Sequence, residues 1–109
     1  MKNSYILVTV TTANKQEAEK IAQHLLEARL IACANILGPV SSHFRWSGKI
    51  EQAEEYLLLM KSRGDLLEKI AEEVKALHSY DVPEVIALQV VKGSKEYLAW
   101  LDESLKQRG

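Results

Sequence analysis

Ile31-Ala32-Cys33-Ala34-Asn35-Ile36-Leu37, then Gly38-Pro39, then Val40-Ser41-Ser42-His43-Phe44-Arg45-Trp46, then Ser47-Gly48, then Lys49 through Glu55-Tyr56-Leu57-Leu58-Leu59-Met60-Lys61-Ser62 is the stretch that decides the fold. It reads as two strands joined at a tight corner. Ser47-Gly48 makes the corner, because Gly tolerates the positive φ of a two-residue hairpin turn. Gly38-Pro39 interrupts the first limb. At ~3.3 Å per residue, a limb of this length spans roughly 50 Å. A compact chain of this size has a radius of gyration of only about 13 Å. The hairpin is therefore expected to overhang its own domain and to expose unpaired backbone edges. Other copies of the same chain cover such edges most simply, so length alone predicts an oligomer.

Outward from the hairpin, Tyr5 to Thr12 alternates Ile6, Val8 and Val10 on one face with Tyr5, Leu7 and Thr9 on the other, as a central strand does. Asn14 and Glu17 have capping-box spacing. Ala18, Ile21, Ala22, Leu25 and Leu26 then recur at helical spacing to about Ala28, with Arg29 placed for the C-terminal dipole. After the hairpin Gly64 breaks the chain. A second helix presents Leu66, Leu67, Ile70, Ala71, Val74 and Leu77 and ends near His78. Val82-Pro83 enforces extended backbone, and a fourth strand runs from Glu84 to Val91. Gly93-Ser94 breaks and caps. A last helix carries Tyr97, Leu98, Trp100, Leu101 and Leu105 and closes with Lys106 and Arg108.

The order β-α-β-β-α-β plus a terminal helix predicts an α+β fold: a ferredoxin-like split βαβ sandwich. It has a four-stranded antiparallel sheet, a long central hairpin, helices on one face and an extra C-terminal helix. The strands at 5–12 and 54–62 are expected to be central and parallel, with 31–37 and 84–91 at the edges.

The 109 residues are expected to form one domain, 1–109, with 47% apolar and 27% charged residues, the balance of an ordinary globule. A net charge of −1 points away from nucleic acid and from anionic membranes. No stretch approaches membrane-spanning length. The single cysteine, Cys33, forms no intrachain disulfide, and the N-terminus lacks signal-peptide features. A cytoplasmic location is the expectation.

If the first and third strands finish at the same end of the sheet, Thr11, Lys61-Ser62, Cys33 and the loop His78-Ser79-Tyr80-Asp81-Val82-Pro83-Glu84 surround one corner. Glu55, roughly 20 Å from Lys61 along its strand, would then reach only a neighbour's corner. A site between protomers follows, built from one chain's His78 loop and another's hairpin. His78 reads either as a cap for its helix dipole or as a ligand or proton-transfer group. Cys33, between Ala32 and Ala34, reads as a buried inert thiol. Trp46, Phe44 and Tyr80 read as packing and interface anchors. His24 and His43 read as surface residues. No local metal motif, Gly-rich phosphate loop or Ser-His-Asp arrangement is present.

Arg29 to Ile36, Trp46-Ser47-Gly48-Lys49-Ile50, Glu55, Lys61-Ser62, His78 to Glu84 and Tyr97-Leu98-Ala99-Trp100-Leu101 together resemble the divalent-cation tolerance family, CutA, over almost the whole chain. The resemblance implies a homotrimer whose long hairpins pair between subunits. It implies a link to divalent-metal tolerance, with copper the metal proposed for the family. It suggests a PII-like regulatory or scaffold trimer, with a further protein partner, as the alternative. Ser79 stands where many relatives have Pro, and Phe44 where many have Tyr. Thr9-Val10-Thr11-Thr12 offers no thiol where some relatives do, which leaves Cys33 as the only thiolate ligand.

The combined expectation is a cytoplasmic, non-enzymatic trimer. Trp46, Glu55, Lys61, Tyr80 and Glu84 are the candidate ligand-binding residues, and His78 and Cys33 the candidate metal ligands, for copper or another divalent ion. An enzyme using His78 with Lys61 or Glu84, and a purely structural role for the corner, are the remaining readings.

Overall fold

Along β1, Tyr5–Thr12, every second side chain is buried, Ile6, Val8, Val10 and Thr12 having no exposed surface. That period of two is the signature of a strand with one face on a core. The computed structural model describes residues 4–107. Helix α1, Lys15–Glu27, starts where Asn14 Oδ1 accepts from Glu17 N at 2.8 Å. Its last turn closes as a Schellman motif, with Arg29 N donating to Leu26 O at 3.1 Å and Leu30 N to Leu25 O at 3.0 Å. Arg29 takes the left-handed conformation there, at φ 58°. Its guanidinium caps a different helix from the one expected. It donates to the carbonyl of Ser104 at 3.1 Å, the last residue of α3, Lys95–Ser104.

The hairpin consists of β2, Cys33–Trp46, and β3, Lys49–Arg63. Ser47 and Gly48 both have positive φ, 49° and 78°, as a type I′ turn requires. The interruption at Gly38-Pro39 is a register shift between Leu37 and Val40, around a cis peptide bond. It sits on an edge strand, where a missing backbone N–H is tolerated. β3 pairs with β1 only over Tyr56–Arg63, so Lys49–Glu55 has β2 alone for a partner. The ribbon thus overhangs the rest of the sheet, and the molecule is 44 Å long against 29 and 22 Å in the other directions.

The sheet order is β2-β3-β1-β4, with β4 at Ile86–Gln89, shorter than the expected 84–91. The expected parallel pairing of the central strands is wrong: β1 and β3 are antiparallel, with Tyr5 opposite Arg63 and Thr12 opposite Tyr56. The α1 crossover makes β1 and β2 parallel and leaves one slot between them. The hairpin returns β3 into that slot, antiparallel to both.

Ile6, Val8 and Val10 pack with Leu58 and Met60 beneath Ile21 and Leu25 of α1 and Ile70 and Val74 of α2, Leu67–Leu77. α3, capped by Ser94 Oγ accepting from Tyr97 N, docks at the sheet end through Leu101 and Leu105 against Ala32. Asp102 holds it there, accepting from Tyr5 Oη at 2.7 Å and from Arg63 at 3.2 Å. Arg108, expected to close that helix, lies outside the described residues. The other sheet face has no such cover: Leu37, Ile86 and Leu88 are 44%, 53% and 51% exposed.

Candidate functional site

Antiparallel pairing redraws the expected corner. β3 enters the sheet where β1 ends, so Thr11 stands opposite Leu57, next to Glu55. Lys61 stands opposite Leu7 on one side and Cys33 on the other, at the far end. The grouping of Thr11 with Lys61, Ser62 and Cys33 is therefore wrong, and Glu55 belongs to its own chain's corner after all.

That corner is built from the end of α2 outward. His78 leaves the helix in extended conformation, and its side chain is fully buried. Nε2–H donates to the Thr11 carbonyl at 2.7 Å, and Nδ1 accepts from Tyr80 N at 3.0 Å. Both ring nitrogens are thereby in use, which fixes a neutral tautomer and leaves no lone pair for a metal. His78 is a strut that ties the loop to β1. The reading of His78 as a metal ligand is corrected on this ground.

Glu17 is the second strut. Its Oε1 accepts from Ala13 N at 3.3 Å, one residue before the expected capping-box position, and its Oε2 accepts from Ser79 N at 2.7 Å. Burial pushes its carboxyl pKa up, but the hydrogen bonds from Ser79 and Ala13 outweigh that and hold it below the usual value near 4.5.

So held, the loop aims Tyr80 at β3. Its ring lies against His78 at 4.7 Å, and its Oη donates to Glu55 Oε2 at 2.7 Å. The Tyr80 phenol is pushed up to about 12, by burial first and then by the hydrogen bond to Glu55 and that residue's charge. It keeps its proton throughout the physiological range and acts as a fixed donor. Four residues on, Glu84 Oε2 accepts from Thr9 Oγ1 at 2.9 Å.

Between this loop and the overhanging hairpin lies a cleft of about 770 Å³, a size typical of small-molecule sites. Phe44 and Trp46 form its outer wall, Tyr80, Val82 and Pro83 its inner wall, and Glu55, Asp81 and Glu84 supply carboxylates. Of the ligand residues expected from sequence, Trp46, Glu55, Tyr80 and Glu84 meet here within one chain. Lys61 does not.

Lys61 and Cys33 form a separate cluster on the uncovered sheet face. Lys61 Nζ donates to Asn35 Oδ1 and lies 3.4 Å from Cys33 Sγ, and Tyr97 Oη is 3.9 Å from the same sulfur. Cys33 is half-buried rather than enclosed as expected. With an ammonium beside the thiol and His78 at the other end of the sheet, the paired His78–Cys33 metal site does not form. Among the described residues no group of three or more His, Cys, Asp or Glu side chains is arranged to hold a metal ion. The described residues of one chain do not by themselves gather a tight metal site. His24, read as a surface residue, keeps 40% of its side chain exposed, and its Nε2 lies 2.6 Å from Glu73 Oε1.

Sequence reading missed Glu17 as a strut and Thr9 as the partner of Glu84. The capping-box spacing marked Glu17, but its contact with Ser79 crosses the whole fold. Thr9 carried no signal beyond its place on a strand.

Residues 6–104 match the family described as CutA1 divalent ion tolerance protein. The chain is 42% identical to the divalent-cation tolerance protein CutA of Archaeoglobus fulgidus over 91% of its own length and 96% of that protein. It is 44% identical to the chloroplastic protein CutA of Arabidopsis thaliana over 93% of its length, spanning 56% of that longer protein. The crystal structure of CutA1 from Oryza sativa superposes with a TM-score of 0.93 at 40% identity, covering 98% of each chain.

Proposed function

Because the chain belongs to the CutA1 divalent ion tolerance family, we propose that it is a homotrimeric binding protein of the divalent-cation response. It works by occupancy of the cleft between its hairpin and the 80–84 loop, without bond chemistry. The observation that carries this reading is one of placement. The cleft opens beside Thr11 on the same side of the sheet as the uncovered apolar side chains of Leu7, Leu57, Leu59, Ile86 and Leu88. A second copy covering that apolar face would also roof the cleft. The overhanging ribbon supports the same assembly, because Val40–Trp46 offers a free strand edge.

A divalent ion, copper included, would take carboxylates from more than one copy, since one chain gathers too few. Catalysis has little support here: the His78 nitrogens are occupied and Tyr80 holds its proton.

Sedimentation equilibrium at micromolar concentration should give a trimer, and a folded single-copy species would end the reading. Calorimetry with Cu²⁺ should give a reduced heat for Glu84→Gln relative to the wild type. An unchanged heat for Glu84→Gln would remove that residue as a ligand.

Exposed apolar groups at the ribbon tip, Trp46 at 58% and Ile50 at 72%, favour one further reading. The trimer would act as a PII-like scaffold whose protein partner docks on the tip. Metal-independent capture of a stoichiometric partner, abolished by Ile50→Lys, would support it.

A further inference from the structure

Glu55 is only 6% exposed, and the sole donor to its carboxylate among the described residues is the Tyr80 phenol, on Oε2. No fully buried side-chain oxygen among the described residues lacks a partner, so Oε1 keeps some accessible surface, and Glu55 is one of the residues that line the cleft. No Lys, Arg or His of the described residues lies within 4 Å of either oxygen. A carboxylate withdrawn from water without a counter-charge is costly to the fold. Such a group facing a ligand-sized cleft is a ready acceptor for a cation.

The rest of the cleft sets the kind of cation. Glu55, Asp81 and Glu84 line it against the single guanidinium of Arg45, which leaves formal negative charge uncompensated. These carboxylates do not converge as a metal site requires. They line the cleft together with Phe44, Trp46 and Tyr80. A bare divalent ion needs its oxygens gathered within about 2–2.6 Å of one point. An organic cation needs separated anions with apolar surface between them, and aromatic faces attract ammonium groups.

We propose that the cleft binds a linear aliphatic diamine, a class of organic dication, with one ammonium on Glu55, the other toward Asp81 or Glu84, and its methylenes along Phe44 and Trp46. This rests on the cleft being the ligand site of the protein, and it names the ligand class.

The test is calorimetry on the intact protein with putrescine, n-butylamine and Cu²⁺ in separate titrations, together with thermal melts. Putrescine should bind with at least tenfold higher affinity than n-butylamine. Glu55→Gln should abolish that binding and raise Tm, because the amide keeps the Tyr80 hydrogen bond and removes the buried charge. Trp46→Leu should weaken putrescine binding without lowering Tm. Absence of putrescine heat with a Glu84-dependent Cu²⁺ heat would overturn the diamine and leave the cleft as the ligand site. Absence of both would overturn the cleft as well. Glu55→Gln with lowered Tm and weakened assembly would show that a neighbouring copy supplies the cation, and would overturn the proposal.

Discussion

Tyr80 Oη lies 2.7 Å from Glu55 Oε2 across 25 positions of chain, and this bond joins the loop after α2 to the strand that enters the sheet beside it. Both residues line the cleft. Removing the hydroxyl leaves a nearly buried carboxylate without its donor, a loss worth about 1–3 kcal/mol. Tyr80→Phe should lower the urea midpoint accordingly. The same variant has a signature in alkali. The folded-state pKa, at about 12, stands above the ordinary 10.0. The folded protein therefore holds the phenolic proton longer than the unfolded chain does. The stabilisation is complete below the unfolded value and is lost as pH rises toward 12. Wild type and Tyr80→Phe should converge in stability over that window, as measured by denaturation at stepped pH.

Glu17 gives the opposite dependence at the other end of the scale. Its carboxyl sits below 4.5 in the folded state, although burial alone would raise it, because Ser79 N and Ala13 N favour the charged form. A depressed acid stabilises above its unfolded pKa, and the contribution disappears as pH falls through the folded one. Glu17→Gln should be less stable than wild type at neutral pH and should approach it below pH ~4.5. Stability that stays separate in acid would assign the loss to packing instead.

Gly38 reports on the bulge. A Cβ added there would lie 2.4 Å from Tyr56 Cδ2 and 2.8 Å from Cε2, so ring or strand must shift. Overpacking of this kind costs typically 1–3 kcal/mol. Gly38→Ala should lose that much in urea denaturation. Combined with Tyr56→Leu it should lose less than the sum of the two single variants, since both act on one contact.

Much of this chain was readable before its structure. The alternation Ile6-Val8-Val10, the Ser47-Gly48 corner and the Asn14 and Ser94 caps are local signals, each carried by neighbouring residues. The direction of β3 relative to β1 is not local. It follows from the slot left by the α1 crossover, and misjudging it moved Lys61 and Cys33 to the wrong end and sent Glu55 to another subunit. Tyr80 and Glu84 stand out as candidates in sequence because their loop is dense in polar groups, and Trp46 because the overhanging hairpin is expected to reach such a loop. The use of His78 as a strut was hidden, because a histidine at a helix end reads the same whether its nitrogens meet backbone or ligand.

Leu88 and Ile86 of β4 point away from the α1–α2 layer and are each about half exposed. A monomer gains little from them, whereas an assembly that covers this face buries both. Leu88→Glu should therefore separate folding from association. The far-ultraviolet dichroism should be unchanged, because the core of Ile6, Val8, Leu58 and Met60 lies on the other face. Sedimentation should shift from the proposed trimer to single chains, because a charge buried without a partner is penalised at an interface. The melting temperature of the wild type should rise with protein concentration, as mass action requires of an associating fold, and that of Leu88→Glu should not. Lys75→Glu, exposed on α2, is the control for charge alone and should leave assembly intact. A trimer that survives Leu88→Glu would place the subunit contact elsewhere and remove the roof proposed for the cleft.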